Sequence, residues 1–493
     1  MAVLIVAALL GPTSPATAGA PLRQLPAVVH VHSTWTTGDQ SLNQLAELAP
    51  RRGVGAIFLA ENFQQRFEYG LPPLRSLLRY RMEYPSILQK GPQAFLAAVS
   101  AVNAQQARVL FVPGVEVIPL YYWSGNLLNG SLTMHDGQKN ILALGLLRAD
   151  DYRELPAVGN PHSGHWGWRS ALYLSPLLLL LCGGWLLTQR RRRVVHLRRF
   201  RLVESRRPVA LSLLTIGVGL ALLANNYPFR VAPFSPYDSD PGLAPFQSVI
   251  DHVASRGGLS VWSLPEARDF QVVHVAGLTA TIRTEPYADD LLETDRFAAF
   301  GGIYEDTTTF TNPGAGWDHL LLEFLGGRRR APAWAIGEAA YHHEGQAGKR
   351  FGEVQTVLLI EGRETAHLLE AFRIGRMYAL QRTVEAGLRL DRFQIALPDQ
   401  PPAQAGGQLN VSAGAQPEVQ AAIEGTPDPM PITARLIRSG AVVHTAKGTT
   451  PLSVSWVDRE LRPGGRVFYR LEVQGPGGHR ILSNPIFVTS ADR

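Results

Sequence analysis

The sequence predicts an α/β chain that is interrupted by a two-helix membrane hairpin and followed by a small β-rich domain. Three observations predict it. Residues 28–62 read as strand, helix and strand, which implies a parallel sheet. Two uncharged apolar segments, residues 170–188 and 208–227, bracket a segment crowded with arginine. Beyond residue 408, short runs alternate apolar and polar residues between glycine-marked turns, the pattern of an antiparallel β-sandwich. At 493 residues the chain is long enough for more than one core.

The chain opens on an apolar run, residues 2–10, followed by Ala16, Ala18 and Ala20. The run is shorter than the ~20 residues needed to span a bilayer. It reads as the core and cleavage region of a secretory signal peptide, residues 1–20; the usual basic start is missing, which leaves room for a start codon upstream. Next comes the stretch Val28-Val29-His30-Val31-His32-Ser33. Its valines suit a buried strand. Strand alternation puts His30 and His32 on one side, about 6–7 Å apart along the chain. Two imidazoles so placed can share a cation, although two histidines on a strand are more often ordinary core or surface residues.

Ser41 then caps a helix with Leu42, Leu45 and Leu48 on one face. A strand at 54–60 ends in Glu61-Asn62. Helical spacing follows over residues 74–108, broken by Pro85 and Pro92. A strand at 109–112 runs into Pro113-Gly114-Val115-Glu116, and a strand at 140–146 closes this part, residues 21–150. The polar residues sit at strand ends, where α/β enzymes place their sites.

The two apolar segments are near the lower length limit for transmembrane helices. Between them, residues 189–207 hold Arg190 to Arg193, Arg198, Arg199, Arg201, Arg206 and Arg207 against one acid, Glu204. A soluble core rarely joins two helices through so many arginines. Trp166, Trp168, Tyr173 and Tyr227 fit interfacial anchors, and the positive-inside rule puts the arginine loop in the cytoplasm. Both flanking parts then lie outside, and two spans return the chain to the side it left, so residues 21–150 and 240–388 can form one body. The bilayer is thus an expected partner.

Past the hairpin, residues 246–256 read as a helix, followed by residues 257–265 and later by the segment that Trp334-Ala335-Ile336-Gly337-Glu338 starts. Residues 365–373 form an amphipathic helix capped by Gly375. Pro, Gly and Gln accumulate at 399–407 as a linker-like break. Runs at 432–437, 452–456, 467–473 and 486–488 are the strands expected of a domain over residues 408–493. In the third run, Phe468, Arg470 and Glu472 share one face, and Tyr469, Leu471 and Val473 the other.

This order resembles the polymerase and histidinol phosphatase (PHP) family, in particular its exported branch with a C-terminal β domain. The motifs that carry the resemblance are His30-Val31-His32-Ser33, Gly114-Val115-Glu116, Asn140-Ile141-Leu142-Ala143-Leu144-Gly145, the strand before Pro265, Gly375-Arg376-Met377-Tyr378-Ala379, and Ser483-Asn484-Pro485-Ile486. The fold implied is a distorted (β/α)7 barrel over residues 25–385, minus the hairpin. The chemistry implied is hydrolysis of a phosphoester at a cluster of divalent cations held by His, Asp and Glu.

Carried over residue by residue, His30 and His32 match the first ligand pair, Glu116 the bridging glutamate and His342 the late histidine. Glu61 stands where an aspartate is usual. Asn62, Asn140, Leu264 and Ala340 stand where other ligands are expected; an alternative alignment puts Glu338 in place of Ala340. Leucine and alanine offer no lone pair. The resemblance therefore implies an eroded site with His30, His32, Glu61, Glu116 and His342 as metal ligands, holding one Zn, Mn or Fe ion or none.

Other classes find less support. Outside the arginine loop the charge is nearly balanced, so composition does not point to nucleic acid. Cys182 is the single cysteine, which excludes an intramolecular disulfide. There is no P-loop, serine nucleophile elbow or dinucleotide fingerprint. The reading is a membrane-anchored, extracytoplasmic metal-dependent phosphoesterase-like protein acting on a phosphorylated small molecule or an envelope ligand. Its alternative is a catalytically inactive binding or scaffold protein of the envelope.

Overall fold

The computed structural model describes residues 22–105, 108–197, 200–275, 278–306, 308–397 and 400–492, so the expected signal segment at 1–20 lies outside the described residues. The His-bearing strand is β1 (Arg23–Val31). It pairs in parallel with β2 (Ala56–Leu59), and β2 pairs in parallel with β3 (Leu110–Val112). After one-residue breaks both neighbours continue, as Glu61–Asn62 and Gly114–Val117, again in parallel. Gly114–Val117 pairs antiparallel with β4 (Ile141–Leu144), and β4 antiparallel with β5 (Leu259–Trp262). Parallel pairing then runs from β5 through β6 (Ala299–Ile303) and β7 (Trp334–Tyr341) back to β1. Among the described residues the pairings thus return to their start, and β4 and β5 are neighbours although the apolar hairpin lies between them in sequence.

Every residue of β2, β4, β5 and β6 is buried, as strands covered on both faces must be. Helices α1 (Leu42–Arg51), α2 (Pro92–Gln105), α3 (Ala244–Ser255), α4 (Gly316–Leu325) and α5 (Thr365–Arg373) pack their apolar stripes on these strands. The start of α1 is fixed by a capping box: Gln44 N donates to Ser41 Oγ and Ser41 N to Gln44 Oε1. Such a cap contributes about 1 kcal/mol.

The helical spacing read over 74–108 holds only for its second part. Residues Arg66–Gly70 and Arg79–Glu83 form an antiparallel pair, and a regular helix begins at Pro92. Charge favours the hairpin: Glu68 is within 3.6 Å of Arg66, 3.1 Å of Arg79 and 3.4 Å of Arg81, contacts that a helix over 74–83 would lose.

Helices spanning Trp168–Thr188 and Val209–Asn226 are long and apolar enough to cross a membrane. They leave Leu178, Leu181, Trp185 and Leu214 60–70% exposed, whereas a soluble core helix would bury such side chains. The pair packs through small residues. A Cβ on Gly183 would lie 2.6 Å from Ile216 Cγ1, and one on Gly219 2.8 Å from Leu180 Cδ2. Between the helices, the expected loop is an antiparallel pair of strands, Arg191–Leu197 and Phe200–Arg206.

The C-terminal region is more tightly joined to the first core than a linker would allow. β8 (Val354–Ile360) pairs with β1, β9 (Met377–Gln381) with β8, and Arg480–Ser483 with β9, so one sheet runs from the first region into the last. The linker-like break contains an edge strand, Gln400–Gln404, on Gly387–Leu397. Its two prolines are tolerated because an edge strand leaves one side unpaired. Strands Gly387–Leu397, Glu418–Thr426 and Leu452–Val457 form one sheet, and Pro431–Arg438, Arg466–Gln474 and Ile486–Ser490 belong to the other; both contribute to a second apolar core. The two faces read for residues 467–473 are both buried. Tyr469, Leu471 and Val473 enter the second core, while Phe468 enters the first. Arg470 follows Phe468 and forms a fully buried bidentate pair with Asp318 of α4, at 2.7 and 2.8 Å.

Candidate metal centre

β1 does not end as a regular strand. Its register shifts between Val29 and Val31, and His30 has a φ of +71°. A non-glycine residue in that region costs of order 1–3 kcal/mol and persists only where its surroundings hold it. The bulge replaces simple alternation and brings the two imidazoles to a separation of 3.2 Å between Nε2 atoms. Glu116, on the extension of β3, meets them: Oε1 is 3.5 Å from His30 Nε2, and Oε2 is 3.7 Å from His32 Nε2. Ligand atoms of His30, His32 and Glu116 all lie within 4.8 Å of one another.

That spacing fits a small cation. Ligands 2.0–2.2 Å from a tetrahedral Zn²⁺ stand roughly 3.3–3.6 Å apart. Two buried neutral imidazoles facing each other through Nε2 satisfy at most one lone pair between them. Asn140 adds a second polar anomaly. Its Nδ2 donates to Glu116 Oε1 at 2.6 Å, while its buried Oδ1 has no hydrogen-bond partner among the described residues. Both features suit a positive charge at this point.

Behind His30 stands Glu338 of β7, fully buried, with Oε1 2.7 Å from His30 Nδ1. The same carboxylate accepts from Ser263 Oγ at 2.6 Å and from Leu264 N at 3.0 Å. A carboxylate on Nδ1 fixes the ring orientation and leaves Nε2 facing the cluster, the usual support of a ligating histidine. Burial opposes a charge on His30, but Glu116 and Glu338 outweigh it and raise its pKa above the usual value. Burial likewise raises the Glu116 carboxyl, with His30 and Asn140 pulling it back. His32 moves the other way: burial, then His342 and His30, hold it well below its usual value.

The remaining expected ligands are placed differently. His342 lies flat on His32, ring centroids 4.0 Å apart at 9°, and its Nδ1 is 2.9 Å from Thr37 Oγ1. Burial, then His30 and Lys349, lower its pKa to about 4, so it is neutral at pH 7. Glu61 is not among the converging groups and stands behind His32, joined to it through Thr36 Oγ1, which lies 3.4 Å from His32 Nδ1. It accepts from Ser33 N at 2.9 Å, from Ser33 Oγ and from Thr36 Oγ1, and burial raises its pKa to about 7 against those hydrogen bonds. The structure therefore gathers His30, His32 and Glu116, sets His342 against their flank, and gives Glu61 a local role.

A cavity of about 330 Å3 opens beside the cluster, walled by His30, Glu116, Asn140, His342 and Lys349 among others. Leu264 and Ala340, at two positions that lack a ligand, line it with φ of +44° and +42°. Lys349 brings its own ammonium to the wall, ion-paired with Glu305 and donating to Ala340 O at 3.2 Å. Ser263 and Lys349 escaped the sequence reading. Glu338 entered it only as an alternative alignment, and the signal was there: an acid inside an otherwise apolar strand. Elsewhere, His135 hydrogen-bonds Ser124 at 2.7 Å. Arg329 donates to the carbonyl oxygens of Leu291 and Thr294, both at 2.7 Å, which is structural work.

No family model matches the chain, and no curated protein matches it. Among solved structures it is similar to a two-domain protein from Bacteroides vulgatus containing a predicted PHP-like metal-dependent phosphoesterase. Identity is 11%, coverage 93% of this chain and 95% of that one, and the TM-score 0.34. It is also similar to a protein from Bifidobacterium adolescentis described as a metal-dependent phosphoesterase, at 11% identity, 66% and 91% coverage and a TM-score of 0.28. A third is an amidohydrolase from Chromobacterium violaceum with bound sulfate and no metal, at 12% identity, 72% and 97% coverage and a TM-score of 0.29.

Proposed function

We propose that this chain is a membrane-anchored, extracytoplasmic hydrolase of phosphoesters with a reduced, single-metal centre on a PHP-type (β/α)7 barrel. The observation that carries the reading is the convergence of His30, His32 and Glu116 at ligand spacing, with Glu338 holding the far side of His30. The returning circuit of strand pairings supports the barrel, and the two sheets around the second core support a C-terminal β-sandwich. The exposed apolar helices and the arginines between them support two spans with the loop in the cytoplasm.

A divalent cation in this site supplies Lewis-acid polarisation of a phosphoryl oxygen and lowers the pKa of a water. The chain's own groups do the rest. His30 and His32 offer Nε2, and Glu116 offers its carboxylate. Glu338 keeps the His30 proton on Nδ1. Lys349 at the cavity wall complements a phosphoryl charge, and neutral His342 faces the same space. Because His30 takes up a second proton, on Nε2, more readily than an ordinary histidine, that proton competes with a cation, so loading weakens at lower pH.

One observation favours a second reading, a catalytically silent binding protein: Glu61 is committed to Ser33 and Thr36, and Leu264 and Ala340 supply no ligand. Metal content separates the two. The full chain, purified in nanodiscs, should carry close to one equivalent of Zn, Mn or Fe by mass spectrometry. His30→Ala and Glu116→Ala should lose both that metal and hydrolysis of bis-p-nitrophenyl phosphate. Wild-type protein that takes up no metal even when supplied with excess ion would leave the binding-protein reading standing.

A further inference from the structure

Beside the candidate metal cavity lies an apolar groove of about 600 Å3. Cavity and groove share the same strand faces. On the strand Leu278–Thr284, Thr284 lines the cavity and Ile282 and Ala280 line the groove. On Asp269–Val275, Asp269 lines the cavity and Val273 the groove. The hairpin repeats the pattern: Gln65 lines the cavity, and Phe67 and Tyr69 the groove. Each step of two residues keeps the same face and advances about 7 Å. The surface thus passes from polar to apolar within one or two such steps, without changing direction.

The acid and arginine that line the groove, Glu68 and Arg79, pair with each other at 3.1 Å, and most of the remaining wall is apolar. Its rim carries Leu71, Leu78 and Tyr80, each 45–54% exposed. That rim is tied to the end of the second apolar helix: Ser76 N donates to Asn225 Oδ1 at 2.8 Å, and Asn225 Nδ2 to Pro73 O at 3.5 Å. A groove rimmed by exposed apolar side chains, next to a membrane-crossing helix end and continuous with a phosphoester site, has a specific shape of occupant. We propose that the substrate is an amphiphilic phosphoester drawn from the bilayer, its hydrocarbon tail in the groove and its phosphoryl group at His30, His32 and Glu116. This rests on the hydrolase reading above and narrows its substrate class to lipid-borne phosphoesters.

The test uses the full chain in phosphatidylcholine nanodiscs with Mn²⁺, titrated calorimetrically with methyl, butyl, hexyl and octyl phosphate, with empty nanodiscs as blank. Burying each added methylene should raise affinity about threefold to fourfold, so octyl phosphate should bind about a hundredfold more tightly than butyl phosphate. Ala280→Trp, which fills the groove, should reduce that ratio below about tenfold. Leu78→Glu, at an exposed rim position where folding is not at stake, should lower it as well. Alkyl phosphates that all bind equally would overturn the proposal, leave the groove to a peptide segment, and leave the hydrolase reading intact. A ratio that survives both substitutions would overturn it by placing the tail elsewhere. Failure of every alkyl phosphate, methyl included, would sink the phosphoester site itself and the proposal with it.

Discussion

Glu338→Gln perturbs the support of the proposed metal centre without replacing any of the three converging side chains. The Glu338 carboxylate accepts from His30 Nδ1 at 2.7 Å, Ser263 Oγ at 2.6 Å and Leu264 N at 3.0 Å, and it is fully buried. The amide keeps the volume and one acceptor oxygen but loses the charge. Its NH2 group must also face either the Leu264 N–H, a donor only, or the pair His30 Nδ1 and Ser263 Oγ, of which the hydroxyl can turn to accept. His30 then loses the negative partner that fixes its proton on Nδ1 and makes Nε2 basic. Removing such a partner typically costs 10–100-fold in metal affinity, or about 1.4–2.8 kcal/mol. Competition between the full chain in nanodiscs and a chromophoric chelator for Zn²⁺ measures this directly. Glu338→Gln should weaken binding within that range, and Glu338→Ala by at least as much. Unchanged affinity in both would refute the reasoning, because it would mean that the His30 ring needs no carboxylate to face the cluster.

The Arg470–Asp318 pair should behave as a buried charge pair. Arg470→Met alone strands the Asp318 carboxylate and should cost about 3–5 kcal/mol in denaturant unfolding, while Arg470→Met with Asp318→Leu should recover most of that loss. Glu61 gives a pH signature in metal-free protein. Its carboxyl rises from 4.5 to about 7 on folding, so the folded state binds more protons across that interval. Its contribution to stability is therefore complete below pH 4.5 and is lost as pH rises through 7, on the order of 3 kcal/mol. Glu61→Gln should flatten that part of a pH–stability curve, and an unchanged curve would contradict the assignment. Cys182, the single thiol, reports on the hairpin. In nanodiscs it should resist a membrane-impermeant maleimide and react with it once the chain is unfolded in detergent, whereas rapid labelling of the folded chain in lipid would argue against a span there.

Much of the first region was legible because its strands are buried on both faces. Such strands appear as short apolar runs stopped by a polar residue or glycine, as at Ile57-Phe58-Leu59 before Glu61 and at Val115 before Glu116. The hairpin over residues 66–83 was not legible in this way. Its pairing is held by Glu68 among three arginines across two strands, and helix-compatible leucines at 74, 77 and 78 hide that contact. Nor could the sequence reveal the bulge at His30, since nothing in a Val-Val-His-Val run announces a positive φ. Alternation placed Arg470 on a face with Phe468 and Glu472 but could not show its burial, because its partner, Asp318, lies 152 residues earlier. Cross-chain partners of this kind have no periodicity.

The same limit explains the ligand set. The sequence offered Glu116 and Glu61 as ligands and Glu338 only through an alternative alignment, and residue type alone does not rank three carboxylates close to strand ends. What distinguishes them is where their lone pairs are already committed. Glu61 is held by Ser33 and Thr36, which donate to both its oxygens. Glu338 is spread over His30, Ser263 and Leu264. Glu116 accepts one hydrogen bond, from Asn140, and so retains lone pairs facing two imidazoles. In the proposed centre, ligation would therefore fall to the carboxylate with the fewest donors rather than to the one nearest in sequence to the histidines, and Asn140 would serve the site by leaving Glu116 unfilled.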